Sequence, residues 1–394
     1  MSRPAPFEPA PEVLIVGGGV LGAAVAWRLA RRGRRVALLE AASLASGASG
    51  AAAGMLAAQA EQAEPGPMFE AGLLSRRLLL GWRDELEEAS GRRLGFVAAG
   101  LLRVAASEAE AAELKGRVAW QSAAGARADW LDAPALRELE PGLSPSLAGA
   151  AFFPDDSQLE AADLTRAYAE AAARQGARLA EGTPVAGLLL RESRVEGVLL
   201  ADGRRQPAGA VVLAAGHAAA RLWPPLGEEL GLHPVRGQIL ALRPEPGTAP
   251  RRTVFASSGY LVPKAGGRLL VGSVEEAGEW SPVTRLDVLQ RLARAALELV
   301  PALASARPLD AWAGLRPKLS RPLPVVGFWP GVEGLYVAAG HFRNGILLSA
   351  LTGEMAALDL EGEVLPAGWE RLAPAFRPGT GPADSGEASA AASD

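Results

Sequence analysis

Three glycines in the spacing Gly17-x-Gly19-x-x-Gly22 follow the apolar run Val13–Val16 and open a stretch with helical periodicity. At a strand-to-helix turn each glycine has its own task. Gly17 permits the tight bend, Gly19 lets a pyrophosphate approach the backbone, and Gly22 lets the helix pack against the strand. The helix N-terminus adds amide donors and the positive end of its dipole. Glu40 ends the next apolar run, 23 residues after Gly17, where a carboxylate can accept hydrogen bonds from a ribose. The pattern leads us to expect a dinucleotide. It does not choose between FAD and NAD, and a ligand-free glycine turn is its bland alternative.

Three further stretches contain residue types suited to chemistry. Ser46-Gly47-Ala48-Ser49-Gly50-Ala51-Ala52-Ala53-Gly54-Met55 is nearly free of large side chains. It reads equally as an exposed backbone for a flat ring and phosphates, or as an alanine helix packed in a core. Gly340-His341-Phe342-Arg343-Asn344-Gly345-Ile346-Leu347-Leu348 follows an apolar run and opens a helix. That helix N-terminus could stabilise negative charge at the N1–C2 edge of a reduced flavin; the alternative is a structural turn with a salt-bridged Arg343. Gly314-Leu315-Arg316-Pro317 sets an arginine at a stiff strand end, where it can grip a carboxylate with two parallel hydrogen bonds. Most single arginines are nevertheless surface residues. Tyr260, one of three tyrosines, is either a pocket wall or an aromatic of the core or its rim.

A frame must bring these distant segments together. Apolar runs at 13–16, 35–40, 210–214 and 334–339 predict strands, and 20–32, 69–90, 159–175, Leu286–Leu299 and 346–358 predict helices. Residues 94–106, 117–120, 235–243 and 252–273 read as strand-rich, with a turn at Gly266-Gly267, and a short helix opens at Asp132. Helices and strands alternate at the start, around 160–216 and near the end, with strand-rich stretches between. Two interleaved domains are therefore expected, one over 11–90, 150–225 and 318–365 and the other over 91–149 and 226–317. Residues 1–10 and 377–394 read as a disordered lead and tail.

Composition narrows the chemistry. The 394 residues carry a formal net charge of −4 with no basic patch, which argues against nucleic acid and anionic membrane as partners. No apolar run is long enough to span a bilayer and no signal peptide is evident, so a cytoplasmic location is expected. The absence of cysteine excludes disulfides, thiolate metal sites and a cysteinyl link to a cofactor. His217, His233 and His341 lack the spacing of metal ligands, and no metal is expected.

Taken together, the chain resembles the D-amino-acid oxidase-like flavoproteins from about Glu12 to about Leu360, and among them it is most similar to the ThiO-like glycine oxidases. The most specific stretches are Ala51-Ala52-Ala53-Gly54-Met55-Leu56, followed by Gln59 and Glu61, and the run from Gly340 to Leu348. Pro234-Val235-Arg236-Gly237-Gln238 and Trp312-Ala313-Gly314-Leu315-Arg316-Pro317 also fit. The resemblance implies an α/β plus α+β fold: a glutathione-reductase-type FAD-binding Rossmann domain interleaved with an antiparallel-sheet substrate domain.

It also implies noncovalent FAD. Val20 and Leu21 would lie over the pyrophosphate, Glu40 and Ala41 at the ribose, and Val185 at the adenine. Ala48, Ser49, Ala53, Gly54 and Met55 would line the flavin and its phosphates. Gly216 would belong to the cofactor site, and His341, Phe342, Arg343, Asn344, Gly345, Ile346 and Leu347 would wrap the ring. Arg316 would hold the substrate carboxylate, with Arg343, Tyr260 and Met55 lining the same pocket. The implied reaction is oxidation of a small amino acid, glycine foremost, to an imine, with oxygen reduced to hydrogen peroxide and the imine feeding thiazole formation in thiamine biosynthesis. Thiazole synthase is then a partner, and a homo-oligomer is expected. Rival readings are a sarcosine or D-amino-acid oxidase or dehydrogenase and a flavin-binding electron-transfer subunit. Pro317-Lys318-Leu319-Ser320-Arg321-Pro322 and His217 depart from the family pattern, which puts local packing there in question.

Overall fold

The structure, a computed structural model, describes residues 6–379. A six-stranded sheet runs in the order Val325–Phe328, Leu335–Ala339, Ala210–Leu213, Val13–Val16, Val36–Leu39, Arg178–Ala180. All pairs are parallel except the first. Strands such as Val-Leu-Ile-Val and Val-Ala-Leu-Leu are apolar on both faces because both faces are covered. Val13 and Ile15 point into a core shared with helices Val20–Arg31, Ala161–Arg174 and Gly345–Glu361. Leu14 and Val16 point the other way, toward Val195, Val198 and Leu200 of a small three-stranded sheet. The period-two alternation of the strand thus joins two cores.

The second large sheet has nine strands and is antiparallel apart from the pairing of Thr253–Ala256 with Leu101–Ala105. Its spine is His233–Arg243, which pairs with Arg307–Lys318 along nearly its whole length. Helix Leu286–Leu299 covers it through Val288, Leu292, Ala296 and Leu299, which meet Leu240, Leu242 and Val271. The chain crosses between the two sheets repeatedly, as the alternation in the sequence suggested.

Four local expectations need correction. Residues 117–120 are helical, inside Glu108–Ala123. Val118-Ala119-Trp120 is too short an apolar run to reveal its period, and the deciding signal is the cap: Ser107 accepts from Glu110 N, and Glu110 accepts from Ala106 N. Residue 150 is not a boundary between sheets, because strand Gly149–Phe153 belongs to the nine-stranded sheet. Of the expected disordered lead, residues 6–10 are tied down. Phe7 is buried with Leu14 and Val211, its amide donates to Gln206 Oε1 (2.9 Å), and Arg178 grips the Glu8 and Pro9 carbonyls. Of the expected tail, Arg377 is paired with Asp359. Residues 1–5 and 380–394 lie outside the described residues.

Candidate active site

A cavity of about 1010 Å³ opens where the parallel strands end at their carboxyl edge and meets the nine-stranded sheet on its far wall. Open α/β sheets present ligand sites at that edge because the strand-to-helix turns converge there.

At the parallel-sheet wall, Gly17 has φ +114°, and a Cβ on it would lie 2.4 Å from the Ala214 carbonyl oxygen. Only glycine fits that bend between two strands. Gly22 faces the Gly17 carbonyl, so its role is packing the helix against the turn. The Glu40 carboxylate accepts from Gly18 N (2.7 Å) and Ala42 N (2.9 Å), which fixes it beside the glycine turn. Thr183 N donates to the Glu40 carbonyl (2.8 Å), and this contact brings Val185 into the cavity wall. Ser49, on the short helix Ala48–Ala51, accepts from Val20 N (2.9 Å) and so ties the small-residue stretch to the first helix's N-terminus. Gly54, at φ +81°, could not carry a side chain: its Cβ would lie 1.9 Å from Leu159 O.

On the opposite wall, Arg316 pairs with Val235 across the sheet and its guanidinium lies over Gly237, two residues further along that adjacent strand. Its guanidinium donates to the Val274 carbonyl (3.0 Å) and to Ser273 Oγ, both neutral acceptors. Among the described residues no carboxylate pairs with Arg316. Tyr260 stacks over Gly272, its cross-strand partner. Burial raises its phenol pKa, against the opposing pull of the nearby Arg316.

The turn after Leu335–Ala339 closes the cavity. His341 is buried, its Nε2 contacts Thr352 Oγ1 (2.9 Å), and its Nδ1 has no partner among the described residues. Burial pushes its pKa down to about 3, so the ring is neutral at ordinary pH. Arg343 sits at the rim between Glu275 (2.9 Å) and Glu61 (3.3 Å). Burial raises the Glu61 carboxyl, although Arg343, Arg316 and Arg103 all pull it down. Its Oε2 is buried and makes no aligned hydrogen bond.

Residues 12–358 match the DAO family, described as FAD dependent oxidoreductase. The chain belongs to that family. It is 41% identical over 348 residues to a glycine oxidase of Geobacillus kaustophilus, covering 88% of this chain and 92% of that protein. The crystal structure of glycine oxidase from Geobacillus kaustophilus superposes with a TM-score of 0.86 at 40% identity, over 90% of this chain and 96% of that one. A bifunctional ThiO/ThiG protein of Synechocystis is 36% identical over 90% of this chain, and the match spans about half (52%) of its length.

As a DAO-family member the chain is an FAD-dependent oxidoreductase. The residues fit the cofactor: Gly17, Gly18, Gly19 and Gly54 line the cavity with backbone free of side chains, and His341, whose buried Nδ1 has no partner among the described residues, stands in the same wall. Nearly all residues expected at the site converge on this one cavity: Gly17, Gly19, Val20, Leu21, Glu40, Ala41, Ala48, Ser49, Ala53, Gly54, Met55, Val185, Gly216, Tyr260, Arg316, His341, Phe342, Arg343, Gly345 and Ile346.

Three do not line it. Besides Gly22, Leu347 points into the core near Gly72, and Asn344 is the N-cap residue of Gly345–Glu361 without a side-chain cap bond. Sequence reasoning missed Arg103, Ser273 and Glu275, which also line the cavity. Glu61 was noticed only as part of a motif, though it too stands in the wall. The two departures from the family pattern are accommodated. Leu319 packs on Gly340, the backbones of Lys318 and His341 pair in an isolated antiparallel bridge, and His217 stacks edge-on against Trp280.

Proposed function

We propose that this chain oxidises the C–N bond of a small amino acid, glycine foremost, to the imine, which water converts to glyoxylate and ammonia while oxygen becomes hydrogen peroxide. The observation that carries this reading is Arg316, a cavity-lining cation that forms no ion pair with a carboxylate among the described residues. Its guanidinium offers the substrate carboxylate two parallel donors and fixes the α-carbon, which removes much of the entropic barrier to reaction. Tyr260, with its phenol kept protonated by burial, closes the pocket beside it. Glu61 Oε2, lacking an aligned donor, accepts from the substrate amine. Met55, in the same cavity wall, would flank the α-carbon. FAD held in this cavity would supply the hydride acceptor and the two-electron route to dioxygen.

In this reading the parallel-sheet wall holds the cofactor, with Glu40 at a ribose and the glycine turn at the phosphates, and the nine-stranded sheet supplies the substrate wall. Similarity to bifunctional ThiO/ThiG proteins supports a role for the imine in thiazole formation, with thiazole synthase as the partner that consumes it.

The test is a panel of glycine, sarcosine and D-alanine with the purified, flavin-loaded protein, scored for oxygen uptake, peroxide and ammonia. Glycine should yield peroxide and glyoxylate in equal amounts. Flavin reduction by glycine without oxygen uptake would point instead to electron transfer to another acceptor. No flavin reduction by any of the three would overturn the proposal.

A further inference from the structure

Two arginines enter the cavity on the same short segment. Arg316 grips Ser273 and Val274, while Arg343 grips Glu275, the next residue. The Cα atoms of Ser273 and Glu275 therefore lie within the roughly 7 Å that two residues of extended chain span. Yet the two cations stand differently. Arg316 has only neutral acceptors, and Arg343 is held between two carboxylates.

Glu61 senses all of them together: Arg343, Arg316 and Arg103 draw on its charge and Glu275 repels it. Three arginines against two glutamates leave one formal positive charge at this end of the cavity, which matches one carboxylate. Glu275 is at the exposed rim and faces any group that extends from a substrate held at Arg316 toward Arg343.

We propose that Glu275 is a specificity-determining residue: by occupying Arg343 it restricts the site to substrates with a single carboxylate and turns away those with a second. This rests on Arg316 as the anchor for the first carboxylate. Two physical effects produce the exclusion. A second carboxylate meets the negative charge of Glu275, and it cannot pair with Arg343 without displacing a carboxylate already there. Removal of Glu275 leaves Arg343 with Glu61 alone, and the local charge rises to match a dianion.

Binding is the direct test, because it needs no turnover. Diglycolate and acetate differ by one carboxymethoxy arm and have no oxidisable C–N bond. Titration of each into the flavin-loaded protein, read by the change in flavin absorbance, gives two dissociation constants. Glu275→Gln should raise the preference for diglycolate over acetate about tenfold, and the double variant Glu275→Gln with Arg343→Gln should lose that gain. A preference unchanged in the single variant overturns the proposal, as does a gain that survives loss of Arg343. Wild-type protein that binds acetate but releases no peroxide from glycine would sink the functional reading while leaving this ratio interpretable. Loss of acetate binding in Arg316→Ala marks the shared anchor.

Discussion

Arg316 and Arg343 bring the same charge to one cavity, and their surroundings separate their roles. The first has neutral hydrogen-bond acceptors, and the second is held between Glu61 and Glu275. Position in sequence could not tell them apart, since both lie in glycine-bounded motifs; the carboxylates that neutralise Arg343 come from segments 68 and 282 residues away. The structural alternative weighed for that turn, a salt-bridged arginine, is thus realised for Arg343.

His341 gives a prediction at the same scale. The folded chain keeps it neutral down to about pH 3, whereas a histidine in the unfolded chain protonates near 6.5. Between those values the unfolded state binds more protons, so stability falls as pH is lowered through that window. His341→Gln should remove this slope. Its unfolding free energy from urea titration, lower than wild type at pH 8, should gain on wild type below pH 6.5 by up to roughly 1.4 kcal/mol per pH unit. Asp156, which burial pushes up to about 6, titrates in the same range in both proteins and cancels. Parallel pH curves for the two proteins would show that His341 takes up its proton as readily when folded.

At the scale of elements, what matters is how turns deliver short segments to one place. The glycine turn, the Glu40 strand end and the helix after Gly340 were legible because each is a local event, with apolar periodicity broken by glycine. The pairing of Met55–Leu56 with Ser157–Gln158 was not, because two-residue strands carry no period. Nor was the meeting of Arg316 with Ser273, since nothing in a strand's own residues names its neighbour across the sheet. Ser49, expected at the cofactor, is the tie between two elements.

Gly54 tests this level. Gly54→Ala forces a side chain into a left-handed backbone and against the Leu159 carbonyl. The backbone strain alone is about 1–3 kcal/mol. The variant should purify with little flavin absorbance and unfold at lower urea. Wild-type flavin content and an unchanged midpoint would mean that the stretch yields more easily than its packing indicates.

For the molecule as a whole, two sheets with separate cores share one cavity, and no helix among the described residues is long and apolar enough to cross a membrane. A cofactor held between the sheets should stabilise the folded chain by mass action. Free FAD at a hundredfold its Kd adds about 2.7 kcal/mol, so the melting temperature of stripped protein should climb as FAD is titrated. A melting temperature indifferent to FAD would show that the cavity does not hold it in the folded state.

The interleaving of the two sheets was readable from the alternation of helical and strand patterns. The exact crossing points were not, because Gly149–Phe153 looks the same in either sheet.

Arg316, which forms no ion pair with a carboxylate among the described residues, is the proposed anchor of an amino-acid substrate. The most direct measurement compares wild type and Arg316→Ala, both flavin-loaded, in peroxide release from glycine and from methylamine, which lacks the carboxylate. Loss of a charged two-point contact should lower kcat/KM for glycine about a hundredfold, with little change for methylamine. An unchanged kcat/KM for glycine would contradict the account.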